Sequence, residues 1–571
     1  MGNLYLDTDK EFCSIIFDVF RDGGVTDVVC SPGSRNAPLL IAAAAREELR
    51  KHVITDERSA AFFGLGISQV NRKPVVLVCT SGTALLNYSP AVAEAYYQGL
   101  PMIVVSADRP EQWIDQDDSQ TIRQQGVLNN IVKQSYEIIS EGENNPEMKW
   151  YVNRIANDAL LEATGGKPGP VHINVRLSEP LGRKREREYD ETRIIRRVQA
   201  DSIGNKEYLN NLAKELSHKK VMLVAGFLPP SSQLQKAVTT FSALSNVTVF
   251  AETLSNLHLK DFPSCIDTVL TALSTEELDE LKPDIVISIG GSLVSRKLKE
   301  YLRRNKNKIE HWSLGYDRTT VDCFMSQTMR LEVDPSRFIR HISARLQRGE
   351  MSSEVKNFRN EWTEKKRQAI DIKEKYIDNT GWSSLKAFNH ILKTLPASYN
   401  LFLSNGTTVR YAQLIDYRQP HASYCNRGVS GIEGCLSAAT GGAVKYKGNT
   451  LLMTGDMSLG YDMSALGLKE IPDTMKIIMV DNGGGGIFRF IPSTRNLTER
   501  EEYFCANPDL PVKQLAEAFG WNYFEADSEE SLKNQLKFFY SSARKSILKI
   551  KVDGEISAEI LSNYMEVKIT N

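Results

Sequence analysis

The chain has 571 residues, too many for a single hydrophobic core, so several domains are expected. Its 70 Lys and Arg nearly balance 71 Asp and Glu, a net charge of −1, and this excludes a general nucleic-acid or membrane-surface role, which calls for a basic excess. Eight scattered cysteines without a CxxC pair, an amino terminus without a secretory plan and no apolar run near the ~20 residues of a membrane span together predict reduced thiols and a cytoplasmic protein.

Residues 1–182 alternate strand-like and helical patterns. Val25 to Cys30 is strand-like and ends in Ser31-Pro32-Gly33-Ser34-Arg35, before a helical pattern from Ala37 to Leu49. Val75 to Cys79 is a buried strand ending in Thr80-Ser81-Gly82-Thr83. Met102 to Ser106 ends in Ala107-Asp108-Arg109-Pro110, and Val171 to Val175 is a fourth strand. Strands alternating with helices indicate a parallel, helix-covered sheet, and ligands bind beyond the carboxyl ends of such strands.

The charged stretch Arg183 to Ile203 reads as a linker. A second α/β block covers 204–350, with strands at Val221 to Gly226 and Ile285 to Gly291. Glu350 to Asp378 is polar, helical in pattern and again linker-like, and a third block covers 381–556. Its strands are Leu401 to Ser404, Leu451 to Thr454, Met475 to Val480 and Ser546 to Val552. The expected fold class is α/β, with three domains of doubly wound parallel sheets. The first and third blocks share a strand-turn-helix grammar.

The third block carries the most specific signal. Gly455-Asp456-Met457-Ser458 follows one strand, and Asp481-Asn482-Gly483-Gly484-Gly485-Gly486 follows the next. An Asp and an Asn at neighbouring strand ends offer hard oxygen ligands suited to Mg²⁺, which keeps phosphate oxygens and water as further ligands. Glycines let the backbone approach a diphosphate. The pattern points to a Mg²⁺-diphosphate cofactor site.

Gly455-Asp456 with Asn482 resembles the cofactor motif of thiamine-diphosphate enzymes of the decarboxylase and acetohydroxyacid-synthase type. Met457 stands where a third glycine is commoner, and Asp481 where the first of two asparagines is usual. The resemblance implies the thiamine-diphosphate-binding fold. It implies a metal, Mg²⁺ or Mn²⁺, held by Asp456, Asn482 and the Gly484 carbonyl. Glu57, in Thr55-Asp56-Glu57-Arg58-Ser59, would be the carboxylate that hydrogen-bonds the aminopyrimidine ring and promotes proton removal from the thiazolium. An apolar pocket with a raised pKa is expected around it. Thr80, Ser81 and Gly82 would line the pyrimidine half, and Ile432 would force the folded cofactor conformation. In the family the two halves of a site come from different subunits, so a homodimer or homotetramer is implied.

Further stretches narrow the resemblance. Ser31 to Pro38, Ala107 to Pro110, Ser119 to Gln124, Ser404 to Arg410 and Asn426 to Ile432 are similar to the carboligases of menaquinone biosynthesis. These decarboxylate 2-oxoglutarate and add the succinyl unit to isochorismate. The two substrates bring four carboxylates, and Arg binds carboxylates bidentately. By resemblance, Arg410 and Arg427 would grip the distal carboxylate of the succinyl unit. Arg35, Arg109, Gln120, Arg296 and Lys297 would face isochorismate, Arg35 and Gln120 beside the reacting atoms. Ile487 and Phe488 would form the apolar wall. Gly406 stands where relatives carry Ser, and Arg296-Lys297 reverses the family's usual Lys-Arg.

Two other readings stand beside this one: another thiamine-diphosphate carboligase or decarboxylase such as an acetohydroxyacid synthase, and a non-catalytic binding protein of the same fold. Arg296 and Lys297 also read as an ordinary solvated helix face. His172 reads as a satisfied core residue. Gly290-Gly291 lacks a full GxGxxG, so no FAD is expected.

Overall fold

A computed structural model of the chain describes residues 4–139, 145–188, 192–198, 206–262, 264–316 and 319–569. The chain divides into two compact units. The first comprises 1–199, 426–447 and 461–472, and the second comprises 200–425, 448–460 and 473–571.

The sheet of the first unit orders its described strands Arg50–Val53, Asp27–Cys30, Val75–Cys79, Met102–Asp108, Pro170–Arg176, Ser135–Ile139, all parallel. Numbered along the chain, that order is 2-1-3-4-6-5. Val75–Cys79, Met102–Asp108 and Pro170–Arg176 are buried along their whole length, which is why they read as apolar runs. Phe12, Phe17 and Phe20 of the helix Glu11–Asp22 cover one face. Phe62 and Phe63 of the helix Glu57–Asn71 cover the other. The sheet is therefore doubly wound.

The second unit holds two sheets among its described residues. One orders Val247–Ala251, Val221–Ala225, Ile285–Ile289, Glu310–Leu314, Gln327–Leu331, a 2-1-3-4-5 order with every pair parallel. The other orders Ala422–Cys425, Asn400–Leu403, Thr450–Gly455, Met475–Asp481, Ser546–Lys551, Asn522–Ala526, again parallel throughout. Its chain order is 2-1-3-4-6-5, the same as in the first unit. The shared grammar of the first and third blocks is thus a shared topology.

Two linker readings are corrected. Lys184–Glu188 is a strand that pairs antiparallel with Leu4–Thr8. Its Arg187 reaches Asp18 at 3.0 Å and its Arg185 reaches Glu11 at 3.2 Å, ion pairs within the first unit. Residues 189–191 and 199–203 of that stretch lie outside the described residues. Within 350–378, the helix Phe358–Asn379 begins at residue 358 and buries Trp362, Lys366, Ala369 and Lys373. Those lysines made it look solvated. Lys366 instead donates to the Val249 carbonyl at 2.6 Å and lies over the Phe250 ring.

The helical pattern at 37–49 also breaks early. The helix is Ala37–Ala44, and Arg50–Val53 is a short edge strand. Edge strands such as Arg50–Val53 and Asn522–Ala526 are less buried than their central neighbours and carry no apolar run.

Candidate active site

The 2-1-3 strand order places a topological switch beside the first strand of each six-stranded sheet, and open α/β sheets bind ligands there. In the first unit the switch lies between Asp27–Cys30 and Val75–Cys79. Ser31 to Arg35 therefore emerges beside Thr80 to Gly82. The two turns are in contact: a Cβ added to Gly33 would stand 2.3 Å from the Thr80 Cβ. Thr80 and Ser81 are buried. The Gly82 N–H donates to Gln124 Oε1 at 2.8 Å, and Gln124 Nε2 donates to Asn174 Oδ1 at 2.9 Å. Gln124 lies within the stretch 119–124 that carries the resemblance, and its bracing of Gly82 has no signal in the sequence.

Arg35 is buried and donates to the Leu177 carbonyl at 3.0 Å and pairs with Glu179 at 3.2 Å. Burial, then repulsion from Arg109, lowers its pKa. Arg109 in turn pairs with Asp118 at 2.6 Å. Two guanidinium groups thus stand within electrostatic reach of each other, as an anion site requires. Gln120 is exposed, with φ +54°, and its backbone lies against Gly82.

Glu57 opens its helix directly after Asp56, whose side chain accepts the Ser59 N–H at 3.1 Å as the cap. In the single chain Glu57 is half-buried, and the Asn87 amide donates to it at 3.4 Å. A first-turn residue points off the end of its helix toward the strand-end surface, which explains the exposure. Further along, Gly66 and Gly441 let the helix Cys435–Lys445 pack backbone to backbone. Added Cβ atoms there would fall 1.8 Å from the Ala438 oxygen and 2.0 Å from the Phe63 oxygen. Ile432, half-buried, lies just ahead of that packed helix, and Arg427 is half-buried in the same segment.

In the second unit Thr450–Gly455 and Met475–Asp481 are neighbours in parallel register. Asp456 is buried; its Oδ1 accepts the Met457 N–H and its Oδ2 the Gly484 N–H, both at 2.7 Å. Burial pushes its pKa up to about 6, and the Asp481 charge adds to the rise. Gly484 has φ +107°, and a Cβ on it would meet the Cys505 oxygen at 2.2 Å, so no other residue fits without a shift. Its carbonyl accepts the Gly486 N–H at 2.8 Å, which leaves a second lone pair. Asn482 is half-buried at the same strand end.

Arg489 Nη1 and Nη2 donate to the Asn482 and Gly483 carbonyls at 2.9 and 2.8 Å. This buried arginine shapes the glycine run, and no pattern marked it. A buried carboxylate, a neighbouring amide and a free carbonyl lone pair form an oxygen set that fits a hard divalent cation. Gly455 faces open space, and Met457 and Ser458 start the helix Asp456–Tyr461. Ile487 and Phe488 are half-buried, with Phe488 packed on Phe504. Among the described residues no cluster of three or more His, Cys, Asp or Glu is arranged for a metal.

Arg410 is exposed and tied to the Gly406 carbonyl. Gly406 itself has φ +85°, a conformation that would strain any residue with a side chain. Arg296 and Lys297 occupy the exposed first turn of the helix Arg296–Arg304 and pair with Glu300 at 2.7 and 3.6 Å. Lys297 and Arg410 nevertheless both act electrostatically on Asp267.

A cavity of about 300 Å³ in the first unit lies elsewhere, lined by residues such as Lys133, Glu137, His172 and Asn174. His172 bonds Ser106 Oγ at 2.7 Å, and burial lowers its pKa to about 4, so it is neutral. Its Nδ1 faces no partner among the described residues.

Two sequence profiles match the chain. The N-terminal TPP binding domain of thiamine pyrophosphate enzymes matches residues 11–128, and the middle domain of thiamine pyrophosphate enzymes matches 194–403. A Porphyromonas gingivalis protein named 2-succinyl-5-enolpyruvyl-6-hydroxy-3-cyclohexene-1-carboxylate synthase is 40% identical over 98% of this chain and 97% of its own. Proteins of the same name from Cytophaga hutchinsonii and Bacteroides fragilis are 36% and 34% identical, covering 96% and 98% of this chain and 97% and 99% of theirs. On this likeness the chain belongs to the 2-succinyl-5-enolpyruvyl-6-hydroxy-3-cyclohexene-1-carboxylate synthase family of thiamine-diphosphate enzymes.

Proposed function

We propose that the chain catalyses decarboxylation of 2-oxoglutarate and 1,4-addition of the succinyl unit to isochorismate, a carboligase (transferase) step of menaquinone biosynthesis. The observation that carries this reading is the likeness to synthases of that name along nearly the whole of both chains. Bound thiamine diphosphate would supply the carbon nucleophile and the electron sink. Glu57 would hydrogen-bond the aminopyrimidine ring and hold the proton exchanged there. Thr80, Ser81 and Gly82 would line the pyrimidine half. Gly455, Met457 and Ser458 would flank the diphosphate, and Ile432 would support the ring system between them. Asp456, Asn482 and the Gly484 carbonyl would hold Mg²⁺, with Mn²⁺ able to replace it.

Arg410 and Arg427 would take the distal carboxylate of 2-oxoglutarate. Arg35, Arg109, Gln120, Arg296 and Lys297 would take isochorismate, against a wall of Ile487 and Phe488. A substrate lacking a carboxylate would leave a guanidinium unpaired, and this supplies selectivity. The spans 1–182 and 381–556 would each carry half of the cofactor site, with 204–350 between them. The working form would be a cytoplasmic homodimer or homotetramer that acts on small molecules, not on nucleic acid or membrane, and uses no FAD. No helix among the described residues is long and apolar enough to cross a membrane.

The test is to mix protein, thiamine diphosphate, Mg²⁺, 2-oxoglutarate and isochorismate, and to follow the isochorismate absorbance. Its loss only in the complete mixture supports the reading. Pyruvate turnover without any need for isochorismate would replace it with an acetohydroxyacid synthase or simple decarboxylase.

A further inference from the structure

Glu94 is a buried carboxylate that the reaction as described leaves without a task. It lies on the helix Ser89–Gln98 and is 1% exposed. Among the described residues no Lys or Arg forms an ion pair with it. Its partners are backbone groups of one loop. Oε1 accepts the Gly428 N–H at 2.5 Å and Oε2 the Val429 N–H at 2.7 Å. The Ser430 N–H also donates to it, and Gln98 Nε2 completes the set. Successive N–H groups aimed at one point form an anion nest. Here the anion is a side chain of the protein itself.

The loop is shaped around that carboxylate. Ser430 has φ +65°, a left-handed conformation that costs a non-glycine residue about 1–2 kcal/mol. A Cβ on Gly428 would stand 2.6 Å from the Glu94 backbone oxygen and 3.0 Å from its carboxyl carbon. Three N–H bonds to a carboxylate offset both that strain and the desolvation of the charge. Burial still raises the Glu94 pKa, a direction consistent with a carboxylate that has no cation beside it. The gripped residues, 428–430, directly follow Arg427 and directly precede Gly431 and Ile432.

We propose that Glu94 is a positioning residue. By filling the backbone nest at 428–430, it sets the loop that aims Arg427 at the distal carboxylate of the 2-oxo acid and places Ile432 under the cofactor. This rests on the assignment of Arg427 made under the proposed function. Glutamine at 94 keeps the size, but turns an N–H₂ toward N–H donors and removes the charge.

The experiment compares the parent with Glu94→Gln and Gly428→Ala, the second of which pushes the loop away from Glu94 at the same contact. Steady-state kinetics in both substrates, thiamine-diphosphate affinity and circular dichroism are read for each. In Glu94→Gln, KM for 2-oxoglutarate rises about tenfold or more, while KM for isochorismate stays within about twofold. Gly428→Ala gives the same split. Equal rises for both substrates, or unchanged kinetics in a folded variant, would overturn the positioning role. Failure of both variants to fold would assign these residues to folding alone and would also overturn it. An inactive parent would instead defeat the functional reading, and this inference would fall with it.

Discussion

The carboxylate of Asp456 accepts the backbone N–H of Gly484 at 2.7 Å, joining the ends of two adjacent parallel strands across 28 residues of chain. That single bond turns two separated motifs into one site. The Met457 and Asn482 N–H groups donate to the same carboxylate, which still has lone-pair capacity for a cation.

Removal of that carboxylate tests the cofactor half. Asp456→Asn is expected to weaken Mg²⁺-dependent thiamine-diphosphate binding by about tenfold or more, since an amide cannot neutralise a hard divalent ion. Calorimetric titration with and without EDTA measures it. Undiminished, EDTA-resistant cofactor binding in the variant would contradict the metal assignment.

Glu57→Gln tests the other half. The glutamine keeps the helix start but cannot take up a proton. A kcat loss of about 10²–10⁴-fold is expected, with thiamine diphosphate still bound. Full activity in this variant would remove Glu57 from the proton exchange.

Gly484→Ala tests the close approach at the glycine run. The added methyl meets the Cys505 backbone oxygen at 2.2 Å, so either the strand end or the segment at 505 must move. Cofactor affinity should fall together with the thermal midpoint. A variant with parental affinity and midpoint would show that the backbone yields freely there.

A structural ion cluster gives a stability prediction far from the site. Arg46 is buried and pairs with Asp7 at 2.8 Å and Asp18 at 2.9 Å. Arg46→Met removes the most buried cation of the cluster and leaves the acids to Arg187, with Arg21 also beside Asp18, so a loss of about 3 kcal/mol is expected, the low end for a buried pair that loses one partner. Thermal unfolding checks it, and a midpoint within a degree of the parent would refute it.

Lys373 gives the pH dependence. Burial lowers its pKa from 10.5 to about 7, and the nearby Lys568 charge adds to the shift. Between those values the unfolded chain holds a proton that the folded chain does not, so stability rises with pH through that window. The parent should therefore gain thermal stability relative to Lys373→Met from about pH 7 to about pH 9. A constant difference between the two would mean that Lys373 keeps its ordinary affinity. Lys366, also pushed well below the usual lysine range, leaves a similar slope in both proteins.

Central strands such as Val75–Cys79 and Met475–Asp481 were legible because helices bury both their faces, which forces an unbroken apolar run. Arg50–Val53 and Lys184–Glu188 were not. An edge strand can satisfy its charges with solvent or ion pairs and carries no such run. The helical pattern at 358–379 is legible in the sequence, but its burial is not, because lysines usually mean solvent. Carbonyls and ring faces took the place of water around Lys366 and Lys373.

The sequence by itself determined the α/β class, the turns at the strand ends and the pair Asp456 and Asn482, because these depend on residue type and short spacing. Only the tertiary structure decided that Gln124 braces Gly82, that Arg489 holds the Asn482 carbonyl and that Glu94 grips residues 428–430. Each of these joins a side chain to a backbone group. A backbone N–H or carbonyl is the same at every residue, so nothing in the order of side chains marks which one will be met.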